Sequence, residues 1–127
     1  MGRKLRVLNL EDAARDAELL RRHLERANYE LFFERVETPA AMKAALQTQV
    51  WDVILSDYSM PQFGALAALA LLKESGLDIP FIIISGTIGE EVAVQAMLAG
   101  AHDYLMKDKL ARLVPAIERE LHEAENR

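Results

Sequence analysis

The sequence predicts an α/β fold: one doubly wound sheet of five parallel strands with helices on both faces. Three observations predict it. Short apolar runs alternate with longer stretches of helical spacing along the whole chain, the pattern of βαβ units. Val53-Ile54-Leu55 and Phe81-Ile82-Ile83-Ile84 are apolar at every position, as strands buried on both faces are. Four of the runs also stop at polar residues: Glu11-Asp12, Asp57, Ser85 and Lys107. Ligands bind at the carboxyl edge of an open parallel sheet, so these stops are candidates for chemistry as well as for turns.

In order, Leu5 to Leu10 is the first strand, ending at Glu11-Asp12. Ala13, Ala17, Leu20, Leu24 and Ala27 recur at helical spacing, and Asn28 is a helix stop. Leu31 to Val36 is a second, more polar strand, suited to the sheet edge. Thr38-Pro39 supplies an N-cap followed by proline at the first helical position, opening a helix to about Thr48. The third strand runs from Val53 to Asp57, and a loop through Pro61 and Gly64 follows. Ala65 to Glu74 is rich in alanine and leucine, strong helix formers, and Ser75-Gly76 ends that helix. Pro80 to Ser85 is the fourth strand; Thr87 and Glu90 have capping-box spacing for a helix reaching Gly100. His102 to Met106 is the fifth strand, closed by Lys107. Leu113, Val114, Ile117 and Leu121 share one face of the last helix. Pro115 would break a helix interior, so an irregular turn is expected from Asp108 to about Arg112, with regular helix only beyond it. Right-handed crossovers and one reversal at the first strand give the flavodoxin-like order 2-1-3-4-5.

Composition bounds the function. A chain of 127 residues, 51% hydrophobic and 28% charged, is one globular domain without repeat, linker or low-complexity tract. It has no cysteine, hence neither disulfides nor thiolate metal ligands. A net charge of -5 counts against a nucleic-acid surface, which needs an excess of lysine and arginine. The basic start Met1-Gly2-Arg3-Lys4 precedes an apolar run broken by Arg6, Asn9, Glu11 and Asp12, so it is neither a secretion signal nor a membrane span. His23, His102 and His122 lack partner spacing and read as surface residues; Met97 and Met106 read as core filler.

In the predicted order the first, third, fourth and fifth strands are neighbours, so Glu11, Asp12, Asp57, Ser85 and Lys107 face one crevice. Three carboxylates in reach of one another repel and raise one another's pKa. A divalent cation resolves the conflict, and oxygen-only ligands suit a hard ion such as Mg²⁺. A carboxylate beside such an ion, faced by a hydroxyl and an ammonium, is equipped to accept a phosphoryl group as an aspartyl phosphate. Singly, each residue has a plainer use: Asp12 as an N-cap, Ser85 as a turn hydroxyl, Lys107 as a solvated lysine, Tyr104 as a half-buried aromatic. Their shared position at strand ends favours the site.

With Glu11-Asp12, Asp57 followed by Met60-Pro61, Ser85-Gly86, and Tyr104 with Lys107 in this order, the chain resembles over essentially its whole length the receiver domain of a two-component response regulator, chemotaxis-regulator-like in form. The resemblance implies that Asp57 is the phosphoacceptor, served by a phosphohistidine on a sensor histidine kinase or phosphotransfer protein. Asp12, Asp57 and the carbonyl of Ser59 would hold Mg²⁺, with Glu11 acting through water. Ser85, Gly86 and Lys107 would bind the phosphoryl group. Ser85 and Tyr104 would act as the switch, reshaping the surface of the fourth helix, fifth strand and fifth helix. Ser59 and Thr87 would tune the lifetime of the acyl phosphate, and being small they leave it unshielded. It further implies a bacterial, cytoplasmic phosphoprotein that is not an enzyme beyond Mg²⁺-dependent self-phosphorylation and slow autodephosphorylation. Such a domain would make no direct contact with nucleic acid or membrane, and its switch surface would be open to weak homodimerisation.

Two departures stand out. The family usually has proline after this lysine, often across a cis bond; here Asp108 follows. A cis bond before a residue other than proline costs about 3 kcal/mol, so a trans bond and a differently shaped loop are expected. Glu11 stands where aspartate is commoner. Among other functions, a phosphatase of the haloacid dehalogenase type would place a second aspartate where Ser59 lies, and Glu11-Asp12 would repel the phosphate of a flavin. The remaining alternative is a degenerate receiver acting as an unphosphorylated interaction module. No output domain lies within these residues, so the signal is expected to leave through a downstream protein or a fused domain. The charged ending Glu118 to Arg127 has no clear stop, which favours helical continuation into a longer chain.

Overall fold

Sheet order and face parity, more than any single contact, decide where the polar strand ends meet. The computed structural model describes residues 2–61, 63–86 and 89–127. Its elements are β1 (Lys4–Leu10), α1 (Ala14–Arg26), β2 (Glu30–Val36), α2 (Pro39–Thr48), β3 (Val53–Asp57), α3 (Ala65–Ser75), β4 (Phe81–Ser85), α4 (Glu90–Leu98), β5 (Asp103–Met106), a 3-10 turn (Leu110–Arg112) and α5 (Leu113–Glu125). The five strands are parallel in the order β2-β1-β3-β4-β5, as the sequence predicts. Asn9 lies opposite Leu55, Asp57 opposite Ile84, and Ser85 opposite Met106.

Strand residues alternate between two cores because successive side chains point to opposite faces. Leu5, Val7, Val53, Leu55, Ile82, Ile84 and Leu105 pack with Leu20 and Leu24 of α1 and Leu113, Ile117 and Leu121 of α5. Leu8, Leu10, Ile54, Phe81 and Ile83 pack against α2 and α3, with Ala96 of α4. β2 is one of the two edge strands, and its Glu30, Phe32, Glu34 and Arg35 are exposed.

The local signals act as read. Thr38 Oγ1 accepts the Ala41 N–H at 3.1 Å, and Pro39 opens α2. Asn28, at φ 66°, turns the chain after α1, and Gly76, at φ 76°, ends α3; both are left-handed conformations that terminate helices. Pro115 is the third residue of α5, in the first turn, where its missing N–H breaks no helical bond. The irregular stretch before it is the 3-10 turn. The Lys107–Asp108 bond is trans.

Three expectations change. α4 begins at Glu90 with Gly89 at its N-cap, and Thr87 lies outside the described residues. His102 is part-buried: its Nδ1 accepts the Phe81 N–H at 3.0 Å while its own N–H donates to the Phe81 carbonyl, extending the β4–β5 ladder by one side chain. Met97 is 45% exposed on α4, because that short helix buries only Ala96 fully; Met106 is part-buried. Among the described residues no helix is long and apolar enough to cross a membrane.

Candidate functional site

Parity places the charged groups. Asp57 is the last residue of β3, Glu11 follows β1, and Lys107 follows β5. Continuing each strand's alternation puts all three on the side of α1 and α5, with Leu5 and Val7, Val53 and Leu55, and Leu105 below them. Ser85 and Tyr104 fall on the opposite parity, with Phe81 and Ile83, and Tyr104 packs against the core under α2 and α3.

The result is one cluster. The Lys107 Nζ lies 2.7 Å from Asp16 Oδ2, 3.0 Å from Glu11 Oε1 and 3.5 Å from Asp57 Oδ2. One carboxylate oxygen from each of Glu11, Asp12 and Asp57 lies within 4.8 Å of the other two. Glu11 is 1% exposed, the Asp57 side chain is 12% exposed, and Asp12 is open to solvent. Three carboxylates thus contact a single ammonium, with Asp12 beside Glu11 and Asp57, leaving a strong negative excess.

Electrostatics follows from that imbalance. Burial pushes the Glu11 carboxyl up to about 7; Lys107 and the Ala13 N–H, which donates to Glu11 Oε2 at 3.2 Å, pull the other way, and the Asp57 charge adds to the push. Burial by itself would lower the Lys107 ammonium. Hydrogen bonds to Asp16 and Glu11, with the charges of Glu11 and Asp57, outweigh it and raise the pKa, so the lysine stays charged.

The donor set fits a hard divalent cation. Mg²⁺ takes oxygens at about 2.1 Å, which puts opposite ligands about 4.2 Å apart. Oxygens spread over at most 4.8 Å need close only slightly, or reach the ion through water. Glu11, the most buried of the three and already tied to Lys107 and Ala13, is suited to the water-mediated place.

The loop after β3 is well anchored. The Ala65 N–H donates to the Tyr58 carbonyl at 3.0 Å, and Met60 and Phe63 are buried. Ser59 is exposed between these anchors, next to the site. Ser85, 3% exposed, ends β4, and its carbonyl accepts the Lys107 N–H at 2.8 Å, which fixes the root of the lysine. Gly86 is exposed, and a Cβ there would touch Lys107 Cδ at 3.7 Å, so Gly86 lies along the lysine's stem. Tyr104 is half-buried, its ring centroid 6.3 Å from that of Tyr58.

A family model described as "Response regulator receiver domain" matches residues 7–118. The chain belongs to the response regulator receiver domain family. Among solved structures, the receiver domain of NarL from Mycobacterium tuberculosis superposes with a TM-score of 0.79 at 25% identity, covering 98% of this chain and 99% of that one. The protein-glutamate methylesterase/protein-glutamine glutaminase 2 of Rhizobium johnstonii is 31% identical over 112 residues, which is 87% of this chain and 30% of that protein. The transcriptional regulatory protein ZraR of Salmonella typhimurium is 36% identical over 64 residues, 50% of this chain and 14% of that protein. The receiver domain therefore spans only a small part of the first curated relatives it matches.

The structure thus brings Glu11, Asp12, Asp57 and Lys107 of this receiver domain together, as the strand ends suggest, and sets Ser59, Ser85 and Gly86 at the cluster's margin. Sequence reading missed Asp16, although it holds the shortest contact to Lys107.

Proposed function

We propose that this receiver domain works in the cytoplasm as a phosphoacceptor, taking a phosphoryl group onto Asp57 from a partner's phosphohistidine in the presence of Mg²⁺. The observation that carries the reading is the Asp57 carboxylate at the end of β3, with the Lys107 ammonium at 3.5 Å and the oxygens of Glu11 and Asp12 beside it. Asp12, Asp57 and the Ser59 carbonyl would hold the ion, with Glu11 bonding through water. When bound, Mg²⁺ supplies positive charge that offsets the transferring oxygens.

The remaining work belongs to the chain. An Asp57 carboxylate oxygen attacks phosphorus, and the P–N bond breaks with its electron pair leaving on the imidazole nitrogen. Lys107, charged at every working pH because its pKa is raised, donates to a phosphoryl oxygen. The Ser85 hydroxyl and the Gly86 backbone complete the cradle, while Ser59 and Thr87 set how water reaches the product. The pull on Ser85 is read out by Tyr104, on the same side of the sheet. α4 next to it leaves Val94, Met97 and Leu98 exposed, an apolar face suited to a downstream protein, a fused domain or a weak second copy. Activity is confined to self-phosphorylation and slow loss of the phosphoryl group, so the domain is a switch and not an enzyme.

The test is intact mass after incubation with acetyl phosphate and Mg²⁺, with Asp57→Asn as control. Wild type should gain one phosphoryl mass only with the metal, and Asp57→Asn none. An unmodified wild type that also shows no spectral response to beryllofluoride would identify an unphosphorylated interaction module instead.

A further inference from the structure

Lys107 makes its shortest contact with a residue outside the acceptor constellation. Asp16 Oδ2 lies 2.7 Å from Nζ, inside Glu11 at 3.0 Å and Asp57 at 3.5 Å. Asp16 sits in the first turn of α1, where the helix dipole favours a carboxylate. The helix itself is fixed by burial of Ala17, Leu20 and Leu24, so the carboxylate is held in place from behind. An ammonium has three donors. With one on Asp16 and one on Glu11, only the longest contact is directed at the acceptor.

We propose that Asp16 is a positioning residue that restrains Lys107 on the α1 side of the site and thereby slows phosphorylation. A transferring phosphoryl group needs the ammonium on one of its oxygens, so the lysine must leave Asp16, or share it, as charge develops. Removing the charge at position 16 therefore frees the lysine and speeds transfer. The inference rests on the phosphoacceptor reading of Asp57, but the experiment separates the two.

Phosphorylation by acetyl phosphate at saturating Mg²⁺ is followed by intact mass for wild type, Asp16→Asn and Asp16→Glu, each with Lys107 and with Lys107→Ala. Asp16→Asn keeps the side-chain size, and thermal melts verify that it folds. The expected result is a rate about threefold to tenfold above wild type, the range for losing one partly exposed charge-assisted contact. Asp16→Glu should stay near wild type, and in the Lys107→Ala background Asp16→Asn should have no effect. Without metal or phosphodonor, the NMR signal of the Lys107 εCH₂ should move in Asp16→Asn and much less in Asp16→Glu. Equal or slower phosphorylation of Asp16→Asn, an unmoved lysine signal, or acceleration that persists without Lys107 overturns the role of Asp16 alone. No modification of any variant, wild type included, overturns the acceptor reading itself and the restraint with it.

Discussion

Asn9 is a polar side chain where the neighbouring strand positions are apolar. It lies in β1, 1% exposed, donating from Nδ2 to the Leu55 carbonyl at 2.9 Å, and among the described residues its Oδ1 meets no donor. A buried acceptor without a partner costs about 1–3 kcal/mol, more than one ordinary hydrogen bond contributes. Asn9→Val removes both groups, and valine suits a central strand. It should raise stability by about 1 kcal/mol, several degrees in a thermal melt of a domain this size; a melt lowered by the substitution would mean that the oxygen has a partner. At this scale the sequence is an uneven guide. Glu11, Asp12, Asp57 and Lys107 were legible because each sits at a strand end, and the sheet brings strand ends together. Asp16 was not, since its contact depends on how far a lysine rooted at β5 reaches across to α1. Asn9 was read only as a break in apolar character, because a missing donor is a property of the packed interior.

Elements were legible where one residue type has one local use. Thr38-Pro39 could hardly signal anything but a helix start, and Pro115 could be tolerated only near one. α4 was less readable: its start rested on a capping pair, whereas the helix begins after Gly89 and buries only Ala96 fully, so Met97 faces solvent. That difference follows from the position of α4 beside β4 and β5, where a short helix covers little of the sheet. The Thr38 cap gives a clean test of local stabilisation. α2 has no acidic residue in its first turn and no basic residue in its last, so its N-terminus depends on the Thr38 Oγ1 bond. Thr38→Ala should cost about 1 kcal/mol in urea unfolding with an unchanged slope. Because α2 packs on α3, away from Lys107, the acetyl phosphate rate should hold at its wild-type value. A changed rate with unchanged stability would show that α2 communicates with the site.

Over the whole molecule, an apolar sheet packed on both faces holds a cluster of like charges that it would disfavour alone, and this sets a pH dependence. Glu11 has a folded pKa of about 7 against an ordinary value of 4.5, so the metal-free fold binds its proton more tightly than the unfolded chain does. Its contribution to stability is therefore complete below the ordinary value and is lost as pH rises through about 7, on the order of 2–3 kcal/mol. Lys107 does not blur this window, because its raised pKa keeps it charged throughout. Mg²⁺ reverses the sign. It needs the carboxylates ionised and competes with the Glu11 proton, so its affinity rises over the same interval, and ligand-linked stabilisation grows with affinity. Thermal melts from pH 5 to 8.5, with and without Mg²⁺, should show a metal-free protein that weakens with rising pH and a metal-induced increase in Tm that is small at the acid end and large at the alkaline end. In Asp57→Asn the increase should shrink at every pH, because one ionised ligand is gone. A metal effect of equal size across the range would show that Glu11 does not titrate against the ion, and would remove the electrostatic link between the buried carboxyl and the acceptor.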